Sequence, residues 1–319
     1  MANTRDPSER RFRDYLDRLG CAVGHQDRRE PLQAYITGLC LPGERKSVEP
    51  MAARVDPRRV RARHQSMHHF VANAPWQDAS VLKVARDWVL EQMERHGAVA
   101  AWVVDDTGIP KKGRHSVGVA RQYCGALGKQ DNCQVAVSVT LANEAVSVPA
   151  GYQLYLPESW TDDRLRRREA GIPQSIRFST KWEMALVQIA ALQDEGLSPA
   201  PVVADAGYGD ITEFRVRLTA RGIPYVVGVK AVTTVWRPGM QPLRPRPYRG
   251  YGGRPTRVRR TRRHRPVALS ALAQELPASS WRTITWRQGT RGAMRSRFAL
   301  LRVRPAHGER KLHRPREIE

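Results

Sequence analysis

Two stretches of this chain run from apolar sequence directly into carboxylates. Residues 98–104 are apolar and contain three valines, and they lead into Asp105 and Asp106. Residues 201–204 do the same ahead of Asp205. Short apolar runs of this kind read as buried strands. A carboxylate at the C-terminal end of a strand sits at the rim of a sheet, where sites are commonly built. Two such strands can bring two aspartates to one place, and oxygen donors suit hard divalent cations such as Mg²⁺. The plainer alternative is that each aspartate serves a turn or a helix cap. That alternative is adopted for Asp210, because Asp210-x-x-Glu213 has capping-box spacing.

Other chemistries are poorly supported. Gly125-x-x-Gly128-Lys129-Gln130 is too short for a phosphate loop, and Gln130 stands where a Mg²⁺-binding hydroxyl is needed. No serine elbow is present, and the four cysteines form no C-x-x-C pair, which argues against zinc and for a reducing, intracellular setting. His64 and His68 share a helix face but lack a supporting carboxylate or cysteine pattern. They fit a solvated or DNA-facing helix better than a metal site. The first residues are charged rather than apolar, unlike a secretory signal, and no apolar run approaches membrane-spanning length.

The elements that must position the aspartates follow from periodicity. Residues 1–97 read as helical, with segments at 9–19, 31–41 and 58–70 and a last helix capped by Ser80 and closed by Gly97. In that last helix Val81, Val84, Ala85 and Trp88 share a face. Strands are expected at 98–104, 133–141 and 144–156. A helix opened by the capping box Thr180-x-x-Glu183 follows, with Trp182, Ala185, Leu186 and Ile189 inward. Then come a strand at 202–204, a helix through Ala220 and a strand at 225–229. Three strands followed by alternating helices and strands imply an α/β mixed sheet with helices on its faces. The ribonuclease H-like fold is one such solution, and it sets the first and fourth strands, here bearing Asp105 and Asp205, side by side.

The chain has 319 residues and a formal net charge of +23. Residues 1–97 hold 17 Lys+Arg against 13 Asp+Glu, so the excess belongs to the rest of the chain. A protein this basic meets a polyanion, most often nucleic acid. Ten of the arginines fall within residues 244–265, among Pro, Gly, Tyr248 and Tyr251. Such a stretch builds no core and reads either as a linker or as a loop that tracks phosphates without sequence preference. A hairpin is expected beyond it, from strands at 281–287 and 295–303.

The words around the aspartates carry a resemblance. Trp102-x-x-Asp105-Asp106-Thr107-Gly108-x-Pro110-Lys111-Lys112-Gly113 and its continuation through Gly125 resemble the first catalytic block of DDE-type insertion-sequence transposases. Residues 128–134, Tyr152-x-Leu154-Tyr155-Leu156-Pro157 and Ala204-Asp205-Ala206-Gly207-Tyr208-Gly209 resemble later blocks of the same family. The resemblance implies a transposase that cuts DNA and joins strands with two Mg²⁺ or Mn²⁺ ions held by Asp105 and Asp205, with Asp106 as the alternative to Asp105. Its phosphate contacts would be Lys111, Lys112, Arg257, Arg259, Arg260, Arg262 and Arg263. Its partners would be double-stranded transposon ends and target, bound by a homodimer in the bacterial nucleoid. A structure-specific nuclease of the same fold and a non-catalytic DNA-binding protein are the competing readings.

The corresponding domain plan is a helical, DNA-binding region at 1–97, a ribonuclease H-like core at 98–230, a basic β-rich insertion at 231–304 and a polar tail at 305–319. The family's third acid is a Glu on a helix after the insertion. The glutamates after Asp205 are Glu213, Glu275, Glu309, Glu317 and Glu319, and none has the expected setting. The expectation is therefore a chain lacking the core-completing helix, inactive alone, with an apolar patch left uncovered.

Overall fold

The computed structural model describes residues 6–256 and 258–306. The described residues divide into two compact units, one running up to Trp102 and including 138–152, the other made of 103–137 and the described residues from 153 on.

Five helices make up most of the first unit: α1 (Pro7–Ala22), α2 (Arg29–Cys40), α3 (Val48–Val55), α4 (Val60–Ala72) and α5 (Asp78–Met93). Asp6 starts α1 by accepting the Ser8 N–H, and Pro7 occupies the first turn, where a missing N–H costs nothing. One core gathers Leu19, Val23, Leu32 and Phe70, with Val81, Val84 and Ala85 packed against them. A second joins Ala34, Met51, Ala52 and Met67. Gly38 permits this crossing, since a Cβ there would lie 2.9 Å from the Met51 Cβ. Helix α5 begins two residues before the expected Ser80 cap, with Gln77 at the N-cap. Asp78 places a negative charge in the first turn, which favours the earlier start.

The strands follow as β1 (Ala101–Pro110), β2 (Ala120–Cys124), β3 (Lys129–Ala142) and β4 (Ser147–Leu154). After two short helices, α6 (Glu158–Thr161) and α7 (Arg164–Glu169), come α8 (Lys181–Asp194), β5 (Val202–Ala204), α9 (Ala206–Gly209), α10 (Thr212–Ala220) and β6 (Tyr225–Val227). The main sheet runs β2-β3-β1-β5-β6, with β4 also paired to β3. It is mixed: β2 and β3 are antiparallel, and β5 and β6 are parallel. Strand β1 lies between β3 and β5.

Strand β1 does not stop at Val104. It continues past both aspartates, and just beyond it the Lys111 N–H still donates to the Asn132 carbonyl at 2.9 Å. Backbone pairing to the longer β3 sustains the strand through polar residues that periodicity reads as its end. The capping box of α8 is present, with Thr180 and Glu183 exchanging side-chain and backbone bonds. Met184 is among its buried residues, whereas Trp182 is only half-buried.

The second unit goes on through β7 (Thr234–Trp236), β8 (Val267–Ala268), α11 (Leu269–Glu275), β9 (Arg282–Gly289), β10 (Gly292–Phe298) and β11 (Arg304–Pro305). Strands β11-β7-β8 form a small sheet. The expected hairpin is β9–β10, antiparallel with an irregularity between Met294 and Arg295, and its strands are almost wholly exposed. The arginine-rich loop is pinned at its base. His264 packs on the fully buried Trp236 and meets the Gln241 carbonyl, and Leu243 bridges to Arg259.

Cys21 and Cys40 are exposed in the first unit, and Cys124 and Cys133 are buried in the second. Among the described residues no helix is long and apolar enough to cross a membrane.

Candidate active site

Asp105, Asp106 and Asp205 line one cleft of about 510 Å³, together with Thr107, Gly108, Tyr123, Gly207 and Tyr208. The sheet order explains this meeting. Strand β1, which carries Asp105 and Asp106, is the neighbour of β5, which ends just before Asp205, so the three carboxylates come from adjacent strands.

Successive residues on a strand point to opposite faces. Asp105 and Asp106 accordingly meet different partners. Asp105 is exposed, and its Oδ1 accepts the Asp106 N–H at 2.7 Å. Asp106 is partly buried. Its Oδ2 accepts from the Lys181 ammonium at 2.6 Å and its Oδ1 from the Tyr208 hydroxyl at 2.5 Å. Asp205 is exposed, caps α9 and accepts the Gly207 N–H at 2.8 Å.

The turn after Asp205 is tightly seated. A Cβ on Gly209 would fall 1.9 Å from the Gly228 carbonyl oxygen, so only glycine lets the turn approach the end of β6. Tyr208 is buried against Phe214, with ring centroids 5.7 Å apart. Burial first, then the charge of Asp106 and its hydrogen bond, push the Tyr208 phenol far above its ordinary pKa. It is a neutral donor throughout the working range of a protein.

Asp210 is not a helix cap. Helix α10 starts after Ile211 without a side-chain cap, and Asp210 Oδ1 accepts from the Lys230 N–H at 3.0 Å and the Thr233 hydroxyl at 2.8 Å. These donors lie in the segment after β6 and satisfy the carboxylate better than a lone helix N–H would.

Neither Glu213 nor Glu275 lines the cleft. Glu275 forms a forked ion pair with Arg237, with the closest contact at 2.7 Å. Glu309, Glu317 and Glu319 lie outside the described residues, as does Arg257. Among the described residues no group of three His, Cys, Asp or Glu side chains is close enough to hold a metal ion.

Of the basic residues singled out above, Lys112, Arg259, Arg262 and Arg263 are exposed. Lys111 is half-buried on the loop that Asn132 clasps through the Lys111 and Gly113 carbonyls. The Arg259 guanidinium donates to the Arg244 carbonyl. Arg260 lies over the Trp236 ring at 5.9 Å and donates to the Ala306 carbonyl at 3.3 Å, so it anchors the loop. Sequence reading assigned no role to Tyr208 or Lys181. The signal available was their position, one three residues after Asp205 and the other directly after the Thr180 cap.

A family model described as DDE superfamily endonuclease matches residues 18–293. A probable transposase for insertion sequence element IS701 from Microchaete diplosiphon is 30% identical over 168 residues, which is 52% of this chain. The chain spans 41% of that relative's length. With most of its residues matched by one family model, the chain belongs to the DDE superfamily endonucleases.

Proposed function

We propose that this chain is the transposase of an insertion sequence, and that Asp105 and Asp205 hold the divalent metal used by enzymes of its family. The observation that carries the reading is that both carboxylates line one cleft from neighbouring strands. The order β3-β1-β5-β6, with β4 on β3, supports a ribonuclease H-like core.

The donor set fits a hard cation. Asp105 and Asp205 are exposed oxygen donors, and Cys124 is fully buried. A pair of carboxylates rather than a closed protein cage suits Mg²⁺ or Mn²⁺, which keep water and substrate phosphate in their shells. When bound, one or two such ions supply Lewis-acid stabilisation of the phosphodiester and an activated water or DNA 3′-hydroxyl. The chain's own residues present the carboxylates and hold the DNA. Lys112, Arg259, Arg262 and Arg263 contribute phosphate contacts from exposed positions. The partners in this reading are double-stranded transposon ends and target, bound by a homodimer on nucleoid DNA.

A joining assay tests the proposal: duplex DNA with free 3′-hydroxyl ends, Mg²⁺ or Mn²⁺, and the full chain. Joined product that disappears in both Asp105→Asn and Asp205→Asn supports it. Cutting without joining identifies a nuclease, and DNA binding with no metal-dependent chemistry identifies a binding protein. Chemistry that survives both substitutions removes these two residues from the site.

A further inference from the structure

Asp106 stands beside the cleft with both carboxylate oxygens engaged, and its partners come from separate elements. Tyr208 belongs to the short helix that Asp205 caps, and Lys181 is the first residue of α8. We propose that Asp106 is a positioning residue and not a metal ligand: it ties the strand presenting Asp105 to the turn presenting Asp205, while Lys181 cancels its charge. The inference rests on the reading of Asp105 and Asp205 as the metal-binding pair.

Three observations carry it. First, the tie is short and buried at one end. Tyr208 is 3% exposed, and the Asp106 oxygen satisfies a hydroxyl that burial would otherwise strand. Second, both ends are rigidly mounted. The Gly209–Gly228 approach and the Phe214 contact fix Tyr208, and pairing on either side fixes β1. Third, Lys181 is itself held. Its helix begins with a complete capping box, and its ammonium lies 5.5 Å from the centre of the Tyr155 ring. For Asp106 to become a ligand it would have to release an ammonium and a phenol.

Removing the two partners of Asp106 should shift cation affinity in opposite directions. Without the Tyr208 hydroxyl the two presenting elements lose their link, and metal affinity should fall. Without Lys181 a positive charge leaves the neighbourhood and Asp106 is released to compete for the cation, so affinity should rise. A role confined to stability would not produce opposite signs.

The test is a Mn²⁺ titration of the full chain followed by electron paramagnetic resonance, with circular dichroism to verify folding. Asp105→Asn and Asp205→Asn should each abolish binding. Asp106→Asn, which keeps an acceptor for Tyr208, should stay within a few-fold of the parent. Tyr208→Phe should weaken binding by roughly tenfold, the scale on which groups that orient metal ligands act. Lys181→Met should tighten it several-fold, and Lys181→Met combined with Asp106→Asn should return it to the parent value. If Lys181→Met does not fold, Lys181→Gln is judged on the same criterion. Binding lost in Asp106→Asn but kept in Asp105→Asn would make Asp106 the ligand and overturn the inference. So would Tyr208→Phe and the Lys181 variant both lying within twofold of the parent. A parent chain that binds no Mn²⁺, or binding indifferent to Asp205→Asn, would instead defeat the underlying two-aspartate reading and the inference with it.

Discussion

Asp210 shows how a carboxylate next to a candidate site can be wholly structural. Burial works against its charge, but the Lys230 N–H, the Thr233 hydroxyl and the Lys230 ammonium outweigh burial and hold its pKa below the ordinary carboxylate value. A depressed pKa contributes stability that is present above the unfolded-state value and lost as pH falls through the folded-state value. Asp210→Ala should therefore cost about 2 kcal/mol at neutral pH, the scale of hydrogen bonds to a charged group. Urea unfolding at stepped pH should show the gap between parent and variant closing on the acid side of the carboxylate range. An undiminished gap in acid would assign the cost to packing instead. Asp210-x-x-Glu213 has the right letters for a capping box, yet the donors that claim Asp210 sit twenty residues or more away in sequence. Local spacing had no access to them. It likewise had no access to Tyr208 and Lys181, whose shared partner Asp106 is far from both along the chain. The meeting of Asp105 with Asp205 was legible, because each closes an apolar run whose strand character is local.

At the scale of elements, what could be read depended on where the signal lay. Helix α8 was readable from its first turn, since Thr180 and Glu183 satisfy each other without help from the rest of the fold. Thr180→Ala should lower stability by about 1 kcal/mol, as N-cap removals do, and thermal unfolding would register it; no change would mean that packing alone sets the start of α8. The far end of β1 was unreadable for the opposite reason. Its last residues include Asp105, Asp106, Thr107 and Gly108, and it is kept extended by neighbours rather than by propensity. The arginine-rich loop shows the same effect. Its composition offers no core, but Trp236, reached by His264 and Arg260, provides an anchor from outside the stretch. Most helices of the first unit were legible, because amphipathic periodicity needs only a few turns to declare itself, but the eight-residue α3 was too short to do so and was not expected. Their boundaries shifted by a few residues where charge at the helix start, as at Asp78, overrode the apparent cap.

For the whole molecule the dominant quantity is charge. Of the formal +23, residues 1–97 account for +4, so the remainder lies in 98–319. The arginines of the loop are not equivalent: Arg262 and Arg263 face solvent, and Arg260 is committed to Trp236 and Ala306. The double variant Arg262→Ala/Arg263→Ala should reduce the slope of log DNA affinity against log salt by roughly 2, near 0.9 for each phosphate no longer neutralised. A slope unchanged in that variant would remove the loop from the DNA interface. Arg260→Ala should act mainly on thermal stability. The cysteines bear on handling the molecule. Cys21 and Cys40 are open to maleimides and to air, whereas Cys124 and Cys133 are sealed inside the second unit, and burial raises the pKa of the Cys133 thiol. Thiolate is the reactive form, so Cys133 is protected by its raised pKa as well as by burial. Without reductant, concentrated protein will cross-link through its first unit, and replacing Cys21 and Cys40 with serine removes that route while leaving the inner pair as a covalent clock for opening of the second unit.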